Sequence, residues 1–167
     1  MAYTHHSYLN KSTGEMWSLT SHLLRHSYRY HRLDGPAYIL YNFAGQVERI
    51  EWRRYNSYYS PVLPDGSTSP ALIRYHSNGQ KALEMWYLHG QRHRLDGPAH
   101  IIYYSNGQKE CEMWFKSGQL HRPNGPAYVE YDSDGRVINQ GSYHLNGIFY
   151  SAKEAYEAKL LRLAQQS

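Results

Sequence analysis

The chain of 167 residues contains one cysteine, Cys111. No intramolecular disulfide can form, and the expected setting is a reducing, cytoplasmic one. No stretch approaches the roughly 20 consecutive apolar residues that a helical membrane span needs, so no membrane partner is expected. The opening MAYTHHSYLN lacks the basic region and apolar run of a secretion signal. Aliphatic residues are sparse as well. A core must be built instead from rings, of which there are 18 Tyr and 4 Trp. Tyr and Trp favour strands, and 13 Gly with 7 Pro as punctuation point the same way. A formal charge of +4 permits an acidic partner without demanding one.

What the chain has is repetition. His-Arg-x-(Asp/Asn)-Gly-Pro-Ala occurs at 31–37, 93–99 and 121–127. Pro70, Pro98 and Pro126 are spaced by 28 residues, and Pro36 precedes Pro70 by 34. Nine residues after each proline stands a glycine (Gly45, Gly79, Gly107, Gly135), and seven further on a tryptophan in three copies: Trp52, Trp86 and Trp114. The fourth copy carries one inserted residue and Tyr143 instead. A period of this length marks a repeat architecture, in which each unit buries its apolar face against its neighbours.

After each proline one alternating set is nearly constant: Ala37, Ile39, Tyr41; Ala71, Ile73, Tyr75; Ala99, Ile101, Tyr103; Ala127, Val129, Tyr131. The interleaved set varies, from Leu40 to Arg74, Ile102 and Glu130. Side chains of a strand alternate between faces, so the constant set is expected inside and the variable set toward solvent or a partner. Asn78-Gly79, Asn106-Gly107 and Asp134-Gly135 then predict tight two-residue turns with positive φ at both positions. A second strand runs from each turn to the tryptophan. Glu15-Met16-Trp17 copies the end of that strand, which predicts a half unit at the N-terminus.

Two connectors interrupt the array, 18–30 and 53–69, and Asp65-Gly66 takes the place of His-Arg in the second. Insertions of this kind map to one edge, often the working edge. At the C-terminus Ser151 and Glu154 have capping-box spacing, followed by a helical stripe of Ala155, Tyr156, Leu160, Leu163 and Ala164. The expected fold is all-β: about four repeated antiparallel hairpins closed by a short C-terminal capping helix. Within one domain, 1–30 holds the half repeat and first connector, 31–150 the hairpins, and 151–167 the cap.

The stretches HRLDGPAYILY (31–41), HRLDGPAHIIYYSNGQ (93–108) and HRPNGPAYVEY (121–131), with their Glu-Met-Trp strand ends, resemble MORN-like repeats of the antitoxin-type variant. That form is frequent in proteins of bacteriophages and large DNA viruses. The resemblance covers roughly residues 15–147 and implies a non-enzymatic, protein-binding scaffold. It brings no catalytic residue. This chain departs from the shorter, more glycine-rich MORN unit, so the lipid binding ascribed to that unit does not carry over. A phage-encoded accessory factor acting on a host or defence protein, in the host cytoplasm, is the role it suggests.

The copied residues His31, Asp34, Gly35, Pro36; His93, Asp96, Gly97, Pro98; and His121, Asn124, Gly125, Pro126 are the first candidates for chemistry. If each unit adds two strands, equivalent histidines lie roughly 10 Å apart, too far to share one metal ion. Duplicated acid–base pairs along a flat array also differ from an enzyme, which gathers unlike groups in one cleft. These residues are therefore assigned to construction: the acids accept hydrogen bonds from backbone or the nearby Arg, and Gly-Pro sets the turn. Neither a cofactor nor a metal is expected. Cys111 has no basic partner placed beside it and is expected to be inert.

A basic, aromatic surface is the second candidate. Arg25, Arg29, Arg53, Arg54 and Arg74 stand with Tyr55, Tyr58 and Tyr59 in the N-terminal half. Arg beside Tyr marks the hot spots of protein interfaces, and the same pair can stack on bases and hold phosphates. Asp34, Glu48, Glu51 and Asp65 dilute the positive field. The expected function is protein binding through the variable strand face and the long connectors. The alternative is a binder of single-stranded nucleic acid or a nucleotide.

Overall fold

The computed structural model describes residues 3–9, 16–22, 28–30, 35–150 and 153–165. Strands β1 (Tyr3–Leu9), β2 (Met16–His22) and β3 (Tyr28–Tyr30) form an antiparallel sheet of their own. Met16 and Trp17 of the expected half unit thus begin a strand of a separate sheet, and much of the expected connector 18–30 is strand.

From Gly35 onward the 28-residue period becomes a long hairpin followed by a short one. The first unit has β4 (Tyr38–Tyr41) with β5 (Val47–Glu51), then β6 (Arg53–Arg54) with β7 (Ser57–Tyr58). The second has β8 (Leu72–Tyr75) with β9 (Lys81–Met85), then β10 (Tyr87–Leu88) with β11 (Gln91–Arg92). The third has β12 (His100–Tyr103) with β13 (Lys109–Met113), then β14 (Phe115–Lys116) with β15 (Gln119–Leu120). In the fourth, β16 (Tyr128–Tyr131) pairs with β17 (Val137–Leu145), whose far end pairs with β18 (Ile148–Tyr150). The long hairpins join in chain order into one nine-stranded antiparallel sheet from β4 to β18. At each tryptophan the chain turns from long to short hairpin, and the N–H groups of Trp52, Trp86 and Trp114 donate to Ala71, Ala99 and Ala127, each at 2.8 Å.

The turns of the long hairpins differ from the sequence expectation. In the long hairpins only the glycine has positive φ (Gly79 83°, Gly107 86°, Gly135 84°). Tyr104 N–H donates to Gln108 and Gly107 N–H to Tyr104, each at 2.9 Å, which is a three-residue loop ending in a left-handed glycine. The two-residue turns with both φ positive are in the short hairpins: Tyr55-Asn56, His89-Gly90, Ser117-Gly118 and Asn146-Gly147. The Asn side chains of the long loops find another use. Asn78 donates to the Ser105 carbonyl at 2.6 Å and Asn106 to that of Ser133 at 2.8 Å, tying each loop to the next.

The constant face is the inner one. Ala71, Ala99, Ala127, Ile73, Ile101 and Val129 are buried, and Trp86, Ala99, Ile101 and Phe115 form one apolar cluster. Two carboxylates share this face. Buried Glu84 accepts from Tyr103 Oη at 2.6 Å and lies 2.6 Å from Lys81 Nζ, and Glu112 pairs in the same way with Tyr131 and Lys109. Buried polar groups must be partnered, and each of these is. The interleaved face departs from its expected openness. Arg74 is exposed, but Leu72 and His100 are buried because residues of the short hairpins fold toward them: Tyr87 Oη contacts Met85 Sδ at 3.4 Å, and Arg92 reaches His100 at 3.5 Å.

Helix α1 (Lys153–Ala164) packs on β17 and β18, as a cap should. Tyr156 is buried against Tyr143 (ring centroids 5.0 Å) and Tyr150 (5.9 Å). The stripe is shorter than expected, since Leu163 and Ala164 are exposed. Ser151 of the expected capping box lies outside the described residues. No helix is long and apolar enough to cross a membrane among the described residues.

Candidate binding cleft between the first two short hairpins

Hydrogen bonding identifies equivalent residues better than spelling does. His93 N–H donates to the Trp86 carbonyl and His121 N–H to that of Trp114; in the first unit Tyr59 N–H donates to Trp52. Arg94 and Arg122 N–H donate to Phe115 and His144 in the following hairpin, as Ser60 does to Tyr87. The His-Arg pair of the second motif copy is therefore replaced by Tyr59-Ser60, not by Asp65-Gly66. Residues 53–58 are a regular short hairpin. The true insertion is confined to 61–69, where Val62 bridges Thr68 and Asp65 accepts from Ser67 N–H at 2.9 Å and Ser67 Oγ at 2.6 Å. Those two bonds hold the Asp65 carboxyl below its ordinary range.

Several groups of the copied motif make contacts within the scaffold. His93 Nδ1 accepts the Ser117 N–H and His121 Nδ1 the Asn146 N–H, both at 3.1 Å, so each imidazole holds the turn of the next short hairpin. Arg94 lies over the Trp86 ring at 4.1 Å and Arg122 over Trp114 at 3.7 Å. Arg94 Nε donates to Asp96 at 2.9 Å, which keeps that carboxyl below its usual range. Arg122 donates to the Pro126 carbonyl at 3.0 Å. Gly97 lies beside the Arg94 guanidinium, Gly125 has φ 143°, and Asn124 is exposed. Gly35, Pro36 and Pro98 are half-buried. His31 and Asp34 lie outside the described residues.

Where the motif is lost, a cleft of about 660 Å³ opens between β6–β7 and β10–β11, with the insertion on one side. Of the residues singled out from sequence, Arg54, Tyr55, Tyr58 and Tyr59 line it. Tyr58 stacks on Tyr87 at 5.0 Å, and the Arg54 guanidinium lies over Tyr59 at 4.1 Å. Burial pushes the phenols of Tyr58 and Tyr87 up, so both are neutral donors at physiological pH. Val62 and Leu88 are exposed large apolar residues on its wall, beside Pro61 and His89.

The other candidates are placed elsewhere. Arg53 Nε lies 2.6 Å from buried Glu51, beside Arg49 at 3.3 Å, and its guanidinium covers Tyr58 at 4.1 Å. Arg74 is on β8, in register with Arg49 of β5 and Leu83 of β9. Arg29 belongs to β3, and Arg25 lies outside the described residues. Among the described residues, Arg53, Arg54 and Arg74 thus do not form one continuous surface. Cys111 is buried, and burial with Glu110 and Glu130 nearby pushes its thiol up to about 11. Among the described residues no three His, Cys, Asp or Glu side chains converge as a metal site would need.

Tyr87, Leu88, His89 and Val62 were not singled out from sequence. The signal was present in the turn pair His89-Gly90, which brings a second short hairpin against the first. No family model, no curated protein and no solved structure matches this chain.

Proposed function

We propose that the chain is a non-enzymatic binding protein that engages a protein partner through the tyrosine-lined cleft and the 61–69 insertion. The observation that carries this reading is the cleft itself. It joins four tyrosines, one arginine and the exposed apolar side chains of Val62 and Leu88, the mixture that supplies hot spots at protein interfaces. The repeats serve as scaffold, and the resemblance to MORN-like repeats agrees with such a role. A viral accessory factor directed at a host protein remains the biological setting this resemblance suggests.

Nucleic acid is the weaker reading. A strand-binding groove needs a run of free cations beside its stacking rings. Here Arg49 and Arg53 are turned onto Glu51, and Arg74 is on a strand away from the cleft.

The test is affinity capture with the intact chain and three variants: Tyr55→Ala with Leu88→Ala, deletion of 61–66, and Arg74→Ala. That deletion restores the 28-residue spacing. Capture of one protein by the intact chain and by Arg74→Ala, but not by the two cleft variants, supports the proposal. Retention of nucleic acid that weakens steeply with salt, with no protein lost by the cleft variants, sinks it.

A further inference from the structure

Each short hairpin after the first meets its predecessor at its turn. In the third unit Ser117 N–H donates to His93 Nδ1 at 3.1 Å and Gly118 N–H to the Arg92 carbonyl at 2.9 Å. In the fourth, Asn146 N–H donates to His121 Nδ1 at 3.1 Å and Gly147 N–H to the Leu120 carbonyl at 2.9 Å. The second unit has the same turn, His89-Gly90, with φ of 49° and 76°. Its predecessor, however, offers Tyr59 where the others offer an imidazole. A phenol ring has no nitrogen acceptor there, and Tyr59 instead lies under Arg54. Among the described residues neither the His89 nor the Gly90 N–H has an acceptor.

The place of the missing imidazole is the cleft. His89 and Gly90 line it, and so does Arg54, while no Asp or Glu is among its lining residues. His89 and Gly90 are exposed, so water can serve their N–H groups in the free chain. Beside a guanidinium and walled by rings, the turn is placed to exchange that water for an anionic acceptor on an apolar segment. We propose that the cleft takes a carboxylate side chain of the partner protein. One carboxylate oxygen accepts the His89 N–H, as His93 and His121 accept its equivalents, and the group pairs with Arg54. The partner's neighbouring apolar residues lie on Val62, Leu88 and Tyr55. This rests on the protein-binding reading above and gives it a substrate chemistry: an acidic residue flanked by apolar ones.

The test is an amide-resolved NMR titration of the full chain into the millimolar range. The probes are a capped Leu-Glu-Leu peptide, its Leu-Gln-Leu counterpart, acetate and inorganic phosphate. The expected result is a shift of the His89 amide by the Glu peptide and by acetate, with the Gln peptide binding about tenfold more weakly. Arg54→Gln should lower the Glu peptide to the level of the Gln peptide. Tyr59→His, which restores the repeat, should satisfy His89 internally and abolish its response.

Equal binding of both peptides, read at Leu88 and Val62, would overturn the carboxylate site while leaving the protein-binding reading intact. Silence of every cleft signal with every probe would remove both. Tighter binding of phosphate than of the Glu peptide, or an undiminished His89 response in Tyr59→His, would overturn the inference as well.

Discussion

The Nδ1 of His121 accepts the backbone N–H of Asn146 at 3.1 Å, across 25 residues of sequence. His93 and Ser117 repeat the contact one unit earlier. A histidine copied with a nearby aspartate, as His93 is with Asp96, invites a catalytic reading, yet the imidazole lone pair is occupied in holding the next turn. Asn146 has φ 49°, a conformation that a non-glycine residue adopts at some cost, and the bond helps to retain it.

His121→Ala is therefore expected to lower unfolding stability by about 1–2 kcal/mol, the cost of one exchanged hydrogen bond and some packing. Urea denaturation measures the loss. In the same variant the Asn146 amide should move upfield and exchange faster, while the His93–Ser117 contact persists. An unchanged Asn146 amide would contradict the clasp.

The buried carboxylates give a second expectation. Tyr131 Oη donates to Glu112 at 2.8 Å, and burial with that carboxylate pushes the Tyr131 phenol up to about 12. Tyr131→Phe leaves a buried charge short of a donor and should cost about 2 kcal/mol. Glu112→Ile should also destabilise, by leaving Lys109 and Tyr131 without their carboxylate. Ile50 already fills the corresponding position of the first unit, opposite Ile39 and Ile73. The double variant replaces both partners with apolar groups and should recover about 1–3 kcal/mol relative to the sum of the singles. A double-mutant cycle by chemical denaturation reads that coupling, and additivity would deny it.

Much of this architecture was legible in the letters. Ala99, Ile101 and Tyr103 announced a strand and its inner face by period two alone. Trp86 and Trp114 marked the strand ends. The short hairpins were not legible, because Tyr87-Leu88 and Gln91-Arg92 are too brief to show alternation, and His89-Gly90 reads as a mere stop. Nor was the burial of His100, since a varying column resembles an exposed one until a neighbouring hairpin covers it. Half of the cleft, Arg54 to Tyr59, stood out by composition. Its other wall belongs to the next unit, and no local pattern brings the two together. The Tyr59-for-His exchange was hidden by a false alignment with Asp65-Gly66, which a spelling comparison favours and the hydrogen bonds reject.

Gly141 is the extra residue of the fourth unit, and the pairing of β16 with β17 shifts register around it. Its φ is 76°, and a Cβ built there would stand 1.4 Å from the Tyr128 carbonyl oxygen. Backbone cannot yield as a flexible side chain does. Gly141→Ala should cost about 2–4 kcal/mol. Gly45→Ala is the control: φ is also 76°, but the space is open, so only the left-handed backbone penalty of about 1–2 kcal/mol applies. Similar losses from both substitutions would mean that the fourth unit can relax around its insertion.

His100 makes stability depend on pH. It is buried between Met85 and Met113, its cross-strand neighbours, with Arg92 facing it at 3.5 Å. Burial, then the Arg92 charge, lowers its pKa from 6.5 to about 4. The folded state thus binds fewer protons than the unfolded chain between these values. Stability contributed by the neutral imidazole is complete above about pH 6.5 and is lost as pH falls toward 4, by up to about 3 kcal/mol. His121 and His144 are shifted in the same direction, so their contributions add to the slope. The unfolding midpoint should fall between pH 7 and pH 5. His100→Leu should flatten that fall, because Leu72 occupies the same position in the second unit, paired with Glu51 and Met85. Buried Nε2 of His100 has no hydrogen-bond partner, so the leucine should also raise stability at pH 7. A variant as acid-sensitive as the parent would show that the charge taken up on acidification belongs to another group.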